Sequence, residues 1–193
     1  ASPYGAAAVA VVGIVNRIEA LEFILSISLG LAGATLVGQA LGAGRPDRAT
    51  EAIRIAQRWI VVLSLLLMSL FLSAPRMFLE MFTGDPEVFR LGVPYLRILA
   101  LASVATGLEI VTSEAVVGSG HTRVIATIFT VISLARIPLA FMVPRWWDSG
   151  LVGLAWLIVA TCVIRASIIV GWAARGHWRS GLGQELHGDA VLP

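Results

Sequence analysis

The sequence predicts an all-α integral membrane protein, a bundle of five transmembrane helices. Three observations lead there. Of 193 residues 58% are hydrophobic and only 13% charged, with a mean hydropathy of +0.87, which leaves too little polar surface for a soluble domain of this size. Between polar connections the chain carries five apolar stretches long enough to cross a bilayer core of about 30 Å, for which a helix needs roughly 20 residues. Those stretches lack the period-two alternation of a membrane barrel, so helices satisfy their backbones within each span.

The spans run over Ala6 to Leu41, Ile53 to Ala74 (most apolar from Trp59), Pro94 to Val117, Val124 to Val143 and Gly150 to Ala174, within a membrane unit of residues 1–178. Residues 179–193 form a tail. The short connections make consecutive helices antiparallel neighbours. Arg45, Arg48, Arg54, Arg58, Arg123, Arg175 and Arg179 fall on one side, and only Arg76, Arg90 and Arg145 on the other. The positive-inside bias therefore puts the Gly42 turn and the tail in the cytoplasm. All fourteen basic residues (Lys and Arg) are Arg, the usage expected of a GC-rich, bacterial genome. The net charge of +2 and pI near 9.3 fit contact with anionic membrane lipids and call for no nucleic acid. The lone Cys162 reads as a small packing residue.

The first helix would be about 54 Å long if continuous, so it must tilt, bend or protrude. Asn16, Glu19, Glu22, Ser26, Gly30 and Gly33 recur at steps of three or four, on one stripe that lipid cannot face. Gly30 and Gly33 are both close-packing surface and the expected bending point. The third helix repeats the pattern with Ser103, Thr106, Glu109 and Ser113. Glu114 lies about 140° further round than Glu109 and serves a different face. Carboxylates at membrane depth turn toward a cavity or a partner. By depth, Arg136 lies about 6 Å from the level of Glu109, and Arg165 lies between Glu109 and Glu114, so these charges are candidates for structural ion pairs. Pro138 should kink the fourth helix. Trp146 and Trp147 at one end, and Trp172 and Trp178 at the other, read as interfacial anchors. Arg76 to Phe82 is amphipathic and suits the membrane surface.

No metal-ligand set, phosphate loop or zinc-protease motif is present, so neither a metal nor a cofactor is expected. Ser119 and His121 lie two residues apart in a glycine turn, poor geometry for a nucleophile and its base. An enzyme is therefore not expected.

The run Gly33-Ala34-Thr35-Leu36-Val37-Gly38-Gln39-Ala40-Leu41-Gly42-Ala43-Gly44, followed by Arg48-Ala49, resembles the multidrug and toxic compound extrusion (MATE) transporters. Further matches follow in the family's order. They are Met81-Phe82 through Asp85-Pro86-Glu87-Val88, Pro94-Tyr95-Leu96-Arg97-Ile98-Leu99, Gly118-Ser119-Gly120-His121-Thr122, Arg136-Ile137-Pro138-Leu139-Ala140 and the tail Arg175-Gly176-His177-Trp178. The resemblance covers nearly the whole chain. It implies most of the second six-helix half of a twelve-helix carrier in the bacterial inner membrane, with the N-terminal transporter half missing. The absence of an initial Met and the odd number of spans fit a piece of a longer protein.

The family exports cationic amphiphilic drugs in exchange for protons or sodium. Thr106, Glu109 and Glu114 stand where many members carry an Asp, and His121 stands for the turn's usual Asp. Proton coupling is the preferred expectation. Glu109, or Glu19 and Glu22 with Asn16 and Thr106 nearby, would exchange a proton for the drug, with rocking of the two halves as the transport motion. Two alternatives stay open: a carrier of lipid-linked oligosaccharide, which should show a large cationic cavity, and a membrane fragment inactive until a partner half is supplied.

Overall fold

The computed structural model describes residues 5–146 and 150–179. Trp147 and the tail from residue 180 on lie outside them, as do the side chains of Arg145 and Trp146. The described residues form seven α-helices in chain order: α1 Gly5–Gly42, α2 Pro46–Ser73, α3 Pro75–Glu80, α4 Pro86–Ala100, α5 Ser103–Gly118, α6 Thr122–Trp146 and α7 Gly150–Ala174. A 3-10 turn, His177–Arg179, follows α7. Four of these helices are long and apolar enough to cross a membrane, and α4 with α5 makes a fifth span bent by 50°.

The expected third span is thus two helices. No Gly or Pro marks the break. The backbone tightens there instead, with Leu101 N–H donating to Ile98 O at 3.1 Å and Ala102 N–H to Leu99 O at 2.8 Å. Asp85 caps α4 by accepting from the Glu87 N–H at 2.9 Å, with Pro86 at the first helical position where its missing donor is harmless. Helical structure continues through Gly30 and Gly33 in α1 and through Pro138 in α6, so neither position splits its helix in two.

What these glycines do instead is let helices touch. Lipid is as apolar as leucine, so helices in a bilayer gain little from the hydrophobic effect and associate where small residues allow close approach. The most extensive contact in the bundle is α1 against α5. A Cβ on Gly118 would lie 2.5 Å from the Ala34 carbonyl oxygen and 2.8 Å from its Cα, and one on Gly38 would lie 3.1 Å from Gly118 O. Gly107 admits α2 in the same way, since a Cβ there would lie 2.5 Å from the Ser64 hydroxyl and 2.8 Å from Ile60. Gly33 faces Ala56.

The two larger apolar clusters lie at the ends, with a small one of Ala56, Ile60 and Val111 between them. Val11, Val15, Ile18, Phe71, Leu79 and Tyr95 pack beside α3, and Val37, Ile53, Val116, Ile169 and Trp178 pack beside the Gly42 turn. The layer between holds buried Glu22, Ser26, Ser64, Ser103, Glu109, Thr112 and Ser113. Trp178, expected at the interface, is instead buried at 2% exposure and folds back, its indole N–H donating to Ala173 O at 2.7 Å near the end of α7.

Gly118→Ala is expected to lower the thermal unfolding midpoint of the purified protein in detergent, by an overpacking cost of about 1–3 kcal/mol. Gly13→Ala, in open space on α1, should leave it unchanged or raise it by up to about 1 kcal/mol. Equal effects at the two sites would remove the close α1–α5 approach as a source of stability.

Candidate functional site: a polar cavity within the bundle

The spacing that gives α1 its stripe decides which of its polar groups meet protein. Glu22, Ser26, Gly30 and Gly33 are buried, Glu19 is half-buried, and Asn16 is open on one side. Opposite this stripe the two halves of the bent span bring Leu99 from α4 and Ser103 and Thr106 from α5, and α7 supplies Ile158 and Cys162. Together with Asn16, Glu19, Ala20, Glu22 and Phe23 these residues line a cavity of about 360 Å³. Four of the residues selected from sequence, Asn16, Glu19, Glu22 and Thr106, therefore share one vestibule.

The two carboxylates are held differently. Glu22 accepts a hydrogen bond from the Ser64 hydroxyl at 3.2 Å, and the Ser103 hydroxyl also reaches it. Glu19, one turn away, has no side-chain hydrogen bond or ion pair among the described residues and feels the charges of Glu22 and Arg136. Thr106 and Cys162 are hydrogen-bond neighbours across the α5–α7 contact. The arrangement offers two adjacent acids, one fixed and one free, between apolar walls. It can accept a cation or a proton and can seat an apolar body beside it.

Glu109 is set apart from that group. It is 1% exposed, absent from the cavity lining, and its Oε1 lies 2.6 Å from Arg165 Nε. The Arg165 guanidinium carbon sits 4.5 Å from the centre of the Phe129 ring, so one cation fastens α5, α6 and α7 together. The expected ion pairs are thereby sorted: Arg165 takes Glu109, while Arg136 and Glu114 form none among the described residues. Arg136 instead acts at a distance on Glu19, Tyr95 and Cys162. Glu114 lays its stem over Gly30, where a Cβ would come within 2.9 Å of Glu114 Cγ.

Ser64 and Ser103 are the polar partners that sequence reasoning did not assign to the site. Ser103 lay on the polar stripe of the third span and was discoverable; Ser64 sits in an apolar run with nothing to distinguish it from Ser69 or Ser73. The Ser119–His121 pair is in contact, Oγ to Nδ1 at 3.1 Å, but the Ser119 hydroxyl donates its proton to Val116 O at 2.7 Å. His121 then acts as donor to the serine oxygen, which leaves no base acting on that hydroxyl.

Comparison with known proteins agrees with this architecture. The MatE family model matches residues 1–142. A probable multidrug resistance protein NorM from Thermotoga maritima is 30% identical over 170 residues, covering 84% of this chain and 35% of the relative. Another protein of that name, from Aromatoleum aromaticum, is 29% identical over 180 residues, covering 91% and 39%. The crystal structure of the eukaryotic MATE transporter AtDTX14 superposes with a TM-score of 0.80 at 21% identity, over 92% of this chain and 40% of that one, which establishes the shared fold. The chain thus spans well under half the length of the relatives it matches. With the family model covering most of its residues and the helical fold in common, the chain belongs to the MATE family of multi-pass membrane transporters.

Proposed function

We propose that this chain is the C-terminal half-domain of a bacterial inner-membrane carrier that exports cationic, amphiphilic drug-like molecules in exchange for protons, and that Glu19 and Glu22 are the exchanging groups. The observation that supports this reading is the pair of neighbouring carboxylates on one cavity wall, with Phe23, Leu99 and Ile158 as apolar walls. An ionised carboxylate at the centre of a membrane helix costs about 2.5–3.5 kcal/mol by insertion scales, so it is retained where it faces a cavity, a partner or a task. Glu22 has its hydroxyl partners; Glu19 does not. A proton and an organic cation would compete for the negative charge there, and that competition is the coupling. Proton entry neutralises the wall and releases the cargo; proton departure restores the charge. Broad specificity follows from walls that contribute area without directional bonds. The NorM relatives, named as multidrug resistance proteins, agree in substrate class.

The side-chain oxygens of Asn16, Glu19, Glu22, Ser103 and Thr106 also suit sodium, the hard cation that would take the proton's place. An oligosaccharide flippase is less well supported, because no arginine lines this cavity.

In proteoliposomes holding the full-length protein, Glu19→Gln and Glu22→Gln are each expected to lower efflux of a fluorescent organic cation driven by a pH gradient at least tenfold. Unchanged efflux in both would remove these residues from the mechanism. The same vesicles driven by a sodium gradient at uniform pH should show no efflux, and efflux there would assign the coupling to sodium.

Glu109 is proposed as a fastening group, although it was a candidate for exchange. Glu109→Gln leaves Arg165 buried without its counter-charge, and breaking a buried pair costs about 3–5 kcal/mol. The thermal midpoint should therefore fall. Glu109→Gln combined with Arg165→Met should recover most of that loss and keep pH-driven efflux. A stable double variant that has lost coupling would return Glu109 to the exchange step.

A further inference from the structure

A second hollow, of about 490 Å³, lies between the Gly42 ends of α1 and α2, away from the polar cavity. Its lining is divided. One part is apolar and includes Leu36 and Ile55, which are 54% and 47% exposed. The other part carries Gln39, Arg45, Arg48 and Glu51. Arg45, Arg48 and Glu51 follow at steps of three, so they neighbour one another along one edge of α2 and its approach. All three are exposed, and among the described residues none is in an ion pair.

This charge pattern selects a ligand. Two guanidinium groups beside each other match the oxygens of a phosphate diester. Glu51 opposes a plain anion in the same hollow, and its carboxylate calls for a cation attached to that phosphate. The phosphate and primary ammonium of an ethanolamine headgroup are joined through two carbons. That is comparable to the roughly 5–6 Å between side chains one helical turn apart. A quaternary ammonium has no N–H to give Glu51, and a glycerol headgroup has no cation. The apolar end accounts for the remainder of such a molecule, since acyl chains can lie along Leu36 and Ile55. The arginine-rich side also faces the cytoplasmic leaflet by the positive-inside bias.

We propose that the groove between α1 and α2 is a binding site for phosphatidylethanolamine, with the phosphate on Arg45 and Arg48, the ammonium on Glu51 and the acyl chains along Leu36 and Ile55. The lipid bridges the two helices that flank the Gly42 turn. The site is independent of the exchange proposed for Glu19 and Glu22.

The test is lipid retention by the full-length protein in detergent micelles, read by native mass spectrometry with phosphatidylethanolamine, phosphatidylglycerol and phosphatidylcholine offered at equal concentration. Wild type should retain phosphatidylethanolamine at least tenfold more than phosphatidylcholine and in preference to phosphatidylglycerol. Arg45→Gln with Arg48→Gln should abolish that retention, and Glu51→Gln should invert the order of the ethanolamine and glycerol lipids. Ala43→Trp, which fills the hollow without altering charge, should exclude all three. Arg175→Gln, elsewhere on the same side, should change nothing. Equal retention by wild type and the double Arg variant overturns the site, as does a wild type that holds either other lipid as well as phosphatidylethanolamine. Displacement of the lipid by soluble glycerophosphoethanolamine at matching concentration would overturn the assignment to a lipid.

Discussion

The contact on which this bundle depends is the near-touching of two backbones, α1 at Ala34 and Gly38 against α5 at Gly118. In a solvent of acyl chains there is no gain from hiding leucine, so cohesion has to come from dispersion at short range and from polar groups that lipid refuses. Glycine supplies the first by removing the atom that would hold the helices apart. The second follows from the first. With α5 drawn onto α1 and α2 drawn onto Gly107, Glu22 and Ser64 are brought within hydrogen-bonding distance in the layer between the two larger apolar clusters.

Acidic side chains in this layer meet two different fates, and the difference is one of neighbours. Glu109 is matched to an arginine that is itself braced on an aromatic ring, so three helices meet on one cation. Glu19 and Glu22 line the cavity, Glu22 with a hydroxyl partner and Glu19 without one. If the exchange proposed for them holds, the fold separates a charge that fastens from charges that react, although both lie on helices of almost uniform hydropathy.

Much of this was legible in the sequence because lipid imposes a coarse and unforgiving rule. Long apolar runs fix the number of spans, though not of helices, and the three-and-four spacing of Asn16, Glu19, Glu22 and Ser26 fixes the face of α1 that turns inward. The break at Leu101 and Ala102 was not legible, since neither residue is a helix breaker and the tightening there is set by packing. Nor could the pairing of Glu109 be chosen. Arg136 and Arg165 lie at similar depth, and only the rotation of α6 and α7 about their axes decides between them. The glycines of α1 were legible as small residues and as contact surface, and Gly30, Gly33 and Gly38 do face atoms of α5 and α2. Trp178 was placed by its residue type at the interface, whereas a carbonyl left over at the end of α7 drew it inward.

The seating of α6 carries a consequence for the electrostatics of the vestibule. Over Thr122 to Ala140 it rests chiefly on α7, and Ile125 is its only buried hydrophobic residue among those described there. Yet this helix bears Arg136, whose field reaches Glu19. Coulomb interactions fall off with distance and strengthen where water is excluded. A small sideways displacement of this helix would therefore change the potential at the unpartnered acid without breaking the interlock of α1, α2 and α5. If that acid carries the proposed exchange, its pull on a cation would depend on a helix that does not line the cavity.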